Sequence, residues 1–564
     1  MTDNRSSGVS DVAVLVIITG ILGAGALLWL WGGIAGAVFG GGWPTVRVDQ
    51  LLGVVGRLPA RLSTPAGAWP ASVRATLPGP VGFYAALLLL LGALAALALA
   101  ALRSGVVHAL GARAGGASWA SGGDLRVLRQ RPGSSRSGRL VLGRRQGRLL
   151  HAEHRHALIA FGPPQSGKSA GLAVPALLEW DGPAVASSIK TDLLGATLRR
   201  RRELGSAWVF DPFGLGGVPS HTWSPLHGAS TWDGALEVAW RMAAAGELDQ
   251  RSVEGGDFWA IAAEQRLAPL LYTAAASGEG INSVVRWAYG QGGRDLHDAL
   301  RRLADRAGDE VQLAGAHAAY DAVRAFETQA DRTRSSIEAT AQALLRAYRF
   351  TRVARSAQSC EITPDRLLDQ AATLYLIGDA KASKLLRPIF LALLSEVVDR
   401  AYERATLAGG KLELPLLLCL DEAGNVAPLP NLAEIASTAP SHNIQLVSIF
   451  HDLAQARTRY RQQAETVVNS HRARMLLPGV ADLETLRYFA GLAGEEEAKD
   501  FTRTTGAGGS SRSIARRRRP LAAPEALRQL PEGHALLLYG RIPPTELRLR
   551  MWFEDHRLRR LGGA

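Results

Sequence analysis

The sequence predicts an α/β fold: a parallel, doubly wound sheet interrupted by an all-helical insert and preceded by two membrane-spanning helices. Three observations carry this. Apolar stretches of strand length alternate with helix-length segments on both sides of a long Ala-, Arg- and Leu-rich region without strand signals. A glycine-rich phosphate-loop pattern joins one of these strands to the segment that follows it. Two uncharged runs, each about twenty residues long, lie near the N-terminus.

A chain of 564 residues has room for roughly two to four domains and a sizeable core. Hydrophobic residues make up 47% and charged residues 20%, an apolar balance that suits membrane segments. The net charge of +13 is carried mainly by arginine and points to a polyanionic partner, nucleic acid or an anionic lipid surface. Cys360 and Cys419 stand alone, which excludes a disulfide scaffold or a cysteine metal site and fits a reduced cytosolic setting.

In chain order, no charged residue occurs from Val12 to Val46, and Val12–Trp31 is a twenty-residue apolar run. Val81–Leu102 is a second run of spanning length. Arg103 to Arg148 holds ten arginines against Asp124, whereas the loop Arg47–Arg74 holds four and Asp49. The larger excess belongs in the cytoplasm, so both termini are expected there. The Gly- and Ser-rich stretch Ser104–Arg148 reads as a basic linker, open to DNA or to lipid. His151, His154 and His156 have only Glu153 nearby and no cysteine, so a metal site is not expected.

The strand Ala157–Phe161 leads into Gly162-Pro163-Pro164-Gln165-Ser166-Gly167-Lys168-Ser169. Backbone N–H groups of such a loop, with the following helix N-terminus, cradle phosphates. Lys168 is placed to reach the outer phosphates and the Ser169 hydroxyl to hold Mg²⁺. Further strands are expected at Ala184–Ile189, ending at Lys190-Thr191-Asp192, and at Ala207–Asp211. Thr231 to Tyr348 has helical periodicity and reads as a separate inserted domain. Strands resume at Thr373–Ile377 and, after a helix over Leu385–Ala405, at Leu414–Asp421. Asp421 and Glu422 end that apolar strand, where a carboxylate pair can hold Mg²⁺ (Asp421) and polarise the attacking water (Glu422). The alternative is an acidic pair at a helix N-terminus. Gln445–Ile449 is another strand, with His451 at its end as a candidate γ-phosphate sensor, or else a neighbour of a helix cap at Asp452. Arg474–Leu477 and Ala535–Tyr539 complete the sheet. Between them, Thr502–Arg519, with Arg516–Arg519 at its end, reads as a flexible basic loop.

Together these pieces resemble the type IV coupling proteins, the TraG/TraD-type ATPases of conjugation and type IV secretion, in their actinobacterial form. The residues that carry the resemblance are the two N-terminal apolar runs, GPPQSGKS, the KTD at Lys190, VFDP with the later Trp223–Leu226, and the helical insert. LCLDEAGNVAPLPNLAEIAST, HDLAQ and RPLAAPEALRQLPEGHALLLYG complete the set. The resemblance implies a RecA-like P-loop motor domain using ATP and Mg²⁺, a helical domain that recognises cargo, and a homohexameric ring. It also implies coupling of ATP hydrolysis to movement of DNA, single-stranded with its relaxase, into a membrane secretion channel. Carried over, Gly162–Ser169 bind nucleotide, Lys168, Glu422 and His451 are catalytic, and Ser169 and Asp421 hold the metal.

The expected organisation is a cytoplasmic N-terminus (1–11), a first span (12–32), an extracytoplasmic loop (33–80), a second span (81–102) and a linker (103–150). The motor follows in two parts (151–230 and 351–564) around the insert (231–350). Two departures from the family pattern stand out. His451 replaces the usual glutamine, and Ser437-Thr438-Ala439-Pro440 lacks the arginine that many relatives carry before the sensor strand, so no residue is assigned as the arginine finger. Two other readings are an FtsK-like double-stranded DNA translocase and a low-turnover docking platform for protein cargo. The first lacks a C-terminal winged helix, and the second has no use for a water-activating acid.

Overall fold

The structure, a computed structural model, describes residues 25–103, 116–130, 138–154, 156–247, 256–506 and 509–563. It divides into two compact units, Met1–Gly115 and Gly116–Ala564.

In the first unit, an apolar helix covers Gly25–Phe39 and a longer one Pro80–Arg103. Only the longer one, among the described residues, is long and apolar enough to cross a membrane. Most of the first expected span, Val12–Trp31, lies outside the described residues, and the helix that contains its end runs on past Trp31. The segment expected as a loop (33–80) is also structured. It holds the helix Val48–Arg57 and short 3₁₀ turns at Pro59–Arg61, Pro65–Ala68 and Ala71–Thr76. Trp31, Trp69, Val54 and Phe83 form a common buried cluster, because the Trp31 indole N–H donates to the Phe83 carbonyl at 2.6 Å. Trp69 packs where a Cβ at residue 32 would stand, so only Gly32 admits it.

The second unit has thirteen strands among the described residues. In chain order these are β1 (Val141–Arg145), β2 (Arg148–His151), β3 (Ala157–Phe161), β4 (Ala184–Ser188), β5 (Ala207–Phe210), β6 (Thr373–Ile377) and β7 (Leu416–Leu420). They continue with β8 (Ile444–Phe450), β9 (Ala473–Leu476), β10 (Glu495–Gly506), β11 (Gly509–Pro520), β12 (His534–Tyr539) and β13 (Ile542–Arg548). Eleven of them form one sheet in the order β2-β1-β13-β12-β9-β3-β8-β7-β4-β6-β5. From β9 to β5 every neighbour is parallel. Their residues are buried almost throughout, as strands covered on both faces must be. The sheet is nevertheless mixed, not purely parallel, because β12, β13, β1 and β2 extend it antiparallel.

Two sequence expectations need correction here. The stretch read as a basic linker contains β1 and part of β2, paired Arg144↔Leu149 and, across to β13, Arg144↔Arg548. The stretch read as a flexible loop at Thr502–Arg519 belongs instead to β10 and β11, a separate two-stranded ribbon. Local polarity hid both, since ladder partners supplied from far along the chain decide a strand more than propensity does.

Among the described residues between β5 and β6 lie six long or medium helices, from Trp232–Glu247 to Asp331–Leu345. One continuous hydrophobic cluster joins sheet residues Phe161 and Val185 to Leu267, Leu271 and Trp287 of these helices. The helices therefore share a core with the sheet.

Candidate nucleotide site

The sheet order sets the site. β8 lies between β3 and β7, so the carboxyl ends of three strands from distant parts of the chain open side by side, where ligands bind in open α/β sheets. The phosphate loop leaves β3, the acidic pair leaves β7 and His451 leaves β8.

Residues 162–169 turn sharply. Gln165 and Gly167 have φ of 68° and 85°, a region that glycine enters freely and other residues at a cost. A Cβ on Gly162 would stand 2.4 Å from the Ser166 hydroxyl, and one on Gly167 would stand 2.5 Å from the Met551 methyl group. Gly167 is favoured by its conformation, and at both positions a side chain would displace the neighbour it meets. The following turn, Ser169–Ala173, is π-helical before the α-helix Val174–Glu179 begins. The C-terminal segment braces it, with the Trp552 amide donating to the Ala170 carbonyl at 3.1 Å.

Lys168 Nζ lies 2.7 Å from Glu422 Oε1, both side chains being more than nine-tenths buried. Ser169 Oγ donates to Asp421 Oδ2 at 2.6 Å. His451 Nε2 is 2.7 Å from each Glu422 oxygen, and Asn425 Nδ2 donates to Oε2 at 2.9 Å. The five side chains expected to act with the loop (Lys168, Ser169, Asp421, Glu422 and His451) therefore form one cluster. Gln455, the end of the expected His451–Gln455 segment, accepts from the His451 amide at 2.8 Å. Asn425 escaped sequence reasoning as a site residue; its signal was faint, an amide three residues past Glu422.

No helix follows Glu422. Residues 421–426 form turns, the Asn425 and Val426 amides donate to the Glu422 carbonyl, and the next helix starts at Leu432. The helix-dipole alternative for the acidic pair is removed by this geometry. Glu422 itself sits at φ 63°, a left-handed conformation costing about 1 kcal/mol or more for a residue with a side chain. The Asp421 amide bonds to the Ser187 carbonyl on one side and the Ala423 amide to the Ile449 carbonyl on the other, so the neighbouring strands hold the strained turn. For His451 both readings apply: Asp452 does cap the next helix, through the Gln455 amide at 2.7 Å, while the imidazole still reaches Glu422.

The two carboxylates have opposite electrostatics. Burial raises the Asp421 carboxyl above its ordinary value, only partly opposed by the Ser169 hydrogen bond. Burial also pushes Glu422 upward, but hydrogen bonds from His451 and Lys168 and their charges together outweigh it and bring it down to about 2. Asp421 Oδ1 and Ser166 Oγ are buried without hydrogen-bond partners. A hydroxyl and a carboxylate 2.6 Å apart, with a spare buried carboxylate oxygen, are the hard-oxygen donor set that suits Mg²⁺. Among the described residues no group of three or more acids, histidines and cysteines is placed to hold a metal ion. A cavity of about 1060 Å³ between Phe213, Phe350, Arg352, Asp379, Lys381 and Lys384 contains none of the expected site residues.

Residues 119–562 match the family described as type IV secretory system conjugative DNA transfer. The chain is 24% identical over 408 residues to the conjugal transfer protein TraG of Escherichia coli, covering 68% of this chain and 63% of that protein. It is 21% identical to the protein VirD4 of Rhizobium rhizogenes, covering 79% and 66%. The chain thus spans somewhat less than two thirds of the length of these relatives. Its fold matches that of the bacterial conjugative coupling protein TrwB in an unbound form, with a TM-score of 0.55 and 17% identity over 77% of this chain and 93% of TrwB. The TrwB structure in complex with ADP and Mg²⁺ matches equally well, at 0.55 and 17% over 77% and 94%. With the family covering almost the whole second unit, this chain belongs to the type IV secretory system conjugative DNA transfer family.

Proposed function

We propose that the chain is a membrane-anchored ATPase that couples ATP hydrolysis to recruitment and translocation of DNA, as a relaxase–DNA complex, into a conjugative or type IV secretion channel. The observation that carries this reading is the single cluster of Lys168, Ser169, Asp421, Glu422 and His451 at the ends of three adjacent strands, in a chain of this family.

In this reading the amides and side chains of Gly162, Pro163, Pro164, Gln165, Ser166, Gly167, Lys168 and Ser169 receive the triphosphate. Ser169 and Asp421 are the residues that would hold Mg²⁺, which supplies charge neutralisation on the phosphate oxygens when bound. Lys168 exchanges Glu422 for phosphate oxygen. Glu422, relieved of that cation, takes the proton of a water whose oxygen attacks the γ-phosphorus, and the products are ADP and inorganic phosphate. His451 and Asn425 hold the carboxylate in line from its two oxygens. The active form is read as a homohexamer, in which the residue that would serve as the arginine finger is unassigned.

The anchor is read as two spans, 12–32 and 81–102, with the motor cytoplasmic. Supporting it are the apolar helix Pro80–Arg103 and the arginine excess that follows. The domain limits 151–230, 231–350 and 351–564 are part of this proposal.

The test is steady-state ATPase activity of the full chain in lipid nanodiscs with single-stranded, double-stranded or no DNA, using Glu422→Gln as the blank and recording oligomeric state. Stimulation by DNA supports the motor and names its track. Blank-level rates in an assembled ring that binds ATP overturn it in favour of a docking platform.

A further inference from the structure

The cavity of about 1060 Å³ beside Phe213, Phe350 and Asp379 opens on the same edge of the sheet as the nucleotide site. Phe213 stands three residues beyond β5 and Asp379 two residues beyond β6, and β4 lies between β6 and β7. At about 4.8 Å per strand, the ends of β6 and β7 are about 10 Å apart. The Gly378 amide donates to the Ser188 carbonyl and the Asp421 amide to the Ser187 carbonyl. One wall of the cavity and the carboxylate of the nucleotide site therefore hang on consecutive residues of β4. Another wall comes from the last long helix of the insert, Asp331–Leu345, through Thr340 and Leu344.

The lining holds four cations, Arg346, Arg352, Lys381 and Lys384, against one acid, Asp379. Asp379 is engaged as a helix cap, accepting from the Lys381 and Ala382 amides at 3.0 and 2.7 Å. Arg352 is engaged too. Its guanidinium donates to the Phe213 carbonyl at 3.1 Å and lies 5.6 Å from the centre of the Phe213 ring, which ties that ring to the wall. Phe350 meets Phe213 edge-on at 5.7 Å and is still 47% exposed. Arg346, Lys381 and Lys384 have no carboxylate partner among the described residues. Lys381 and Lys384, three positions apart on one helix, share a face. Cations of one sign gathered in a cleft with apolar walls repel each other and draw in an anion.

We propose that this cavity binds single-stranded DNA, with backbone phosphates on Arg346, Lys381 and Lys384 and a base against the ring of Phe350. Unpaired cations beside an exposed aromatic ring are the two parts of a single-strand site, one tracking the backbone and the other stacking a base. A ring set in a concave wall is reached by a base turned out of its strand, not by one stacked in a duplex. The volume exceeds the roughly 300–1,000 Å³ of small-molecule sites, which favours a segment of polymer. An acidic peptide shares the charge, but peptides dock by pairing with a strand edge or by laying an apolar helix face into a groove. No strand residue lines this cavity, and the cations interrupt its apolar surface. The inference rests on the DNA-moving function proposed above and adds a contact site beside the nucleotide site.

The experiment measures binding of the full chain, in nanodiscs of neutral lipid, over a series of salt concentrations. The probes are a labelled single-stranded oligonucleotide, its duplex, and a labelled peptide of glutamate and phenylalanine. The variants are Arg346→Gln/Lys381→Gln/Lys384→Gln, the charge-keeping Arg346→Lys/Lys381→Arg/Lys384→Arg, and Phe350→Leu. The neutral variant is expected to lose about tenfold or more in single-strand affinity, and its log–log salt slope to fall by about 2, from roughly 0.7 per phosphate contact. The charge-keeping variant keeps the parental slope. Phe350→Leu also keeps the slope and binds the single strand about fivefold to a hundredfold more weakly, the scale of one lost base stack. All three keep parental binding of a fluorescent ATP analogue. Parental single-strand affinity and slope in the neutral variant overturn the cavity contact alone, and parental affinity in Phe350→Leu overturns the base stack and the single-strand assignment with it. A loss confined to the peptide overturns the proposal in favour of an acidic peptide. A parental chain that binds neither oligonucleotide overturns the DNA-moving function as well.

Discussion

Lys168 and Glu422, 254 positions apart in the sequence, share a 2.7 Å ion pair between two buried side chains. The cation of the phosphate loop is thereby paired with the carboxylate that the proposed mechanism makes the base. On that proposal, binding of the outer phosphate by Lys168 and release of Glu422 are one exchange.

Removing either partner separates the two roles. Lys168→Ala is expected to abolish nucleotide binding, measured with a fluorescent ATP analogue. Glu422→Gln should bind the analogue at about the parental affinity while hydrolysing at least about a hundredfold more slowly, the scale of a lost catalytic base. Parental turnover in Glu422→Gln would remove Glu422 from the catalytic assignment.

The acidic pair makes a signed prediction for stability against pH. Glu422 is held at about 2, below its ordinary 4.5, so its stabilising contribution is complete above about 4.5 and is lost as pH falls from there through about 2. Asp421, raised by burial, has the opposite sign: protonation relieves its burial cost, so the folded state gains from that group as pH falls. In urea titrations of the nucleotide-free chain, the deficit of Glu422→Gln relative to parent should shrink on acidification. The Asp421→Asn protein should be no less stable than parent near neutral pH. A Glu422→Gln deficit that grows toward low pH would contradict the ion-pair assignment.

His451 touches both oxygens of Glu422. His451→Gln keeps a donor there and removes the ring. Turnover is expected to stay within about tenfold of parent. A steady-state ATPase rate lower by about a hundredfold or more would show that an amide cannot stand in for the imidazole.

Not every arginine serves a partner. Arg201 is fully buried, and its Nε donates to Thr373 Oγ1 at 2.6 Å and Nη2 to the Gly182 carbonyl at 2.6 Å. Nη1 donates to the Trp180 carbonyl. Burial lowers it to about 10, which leaves it charged at neutral pH. It ties the approach to β4 to the start of β6, and Arg201→Ala should cost about 3–5 kcal/mol by leaving those acceptors unpaired. A loss below about 1 kcal/mol in denaturant unfolding would show that the network is dispensable.

What the sequence by itself determined is local. The residue types and spacing of Gly162–Ser169, the carboxylates closing an apolar strand at Asp421–Glu422, the parallel core strands and the helical periodicity between β5 and β6 depend on near neighbours, and each was legible there. The tertiary structure decided what depends on distant neighbours. The placement of β8 between β3 and β7 brought Lys168, Glu422 and His451 into contact, and the left-handed turn at Glu422 is held open by ladders to β4 and β8. The strand β12 was expected but not its antiparallel direction, and β13, β1, β2 and the ribbon β10–β11 were not legible as strands. A polar strand carries little periodic signal, and only the partner lying opposite makes it a strand.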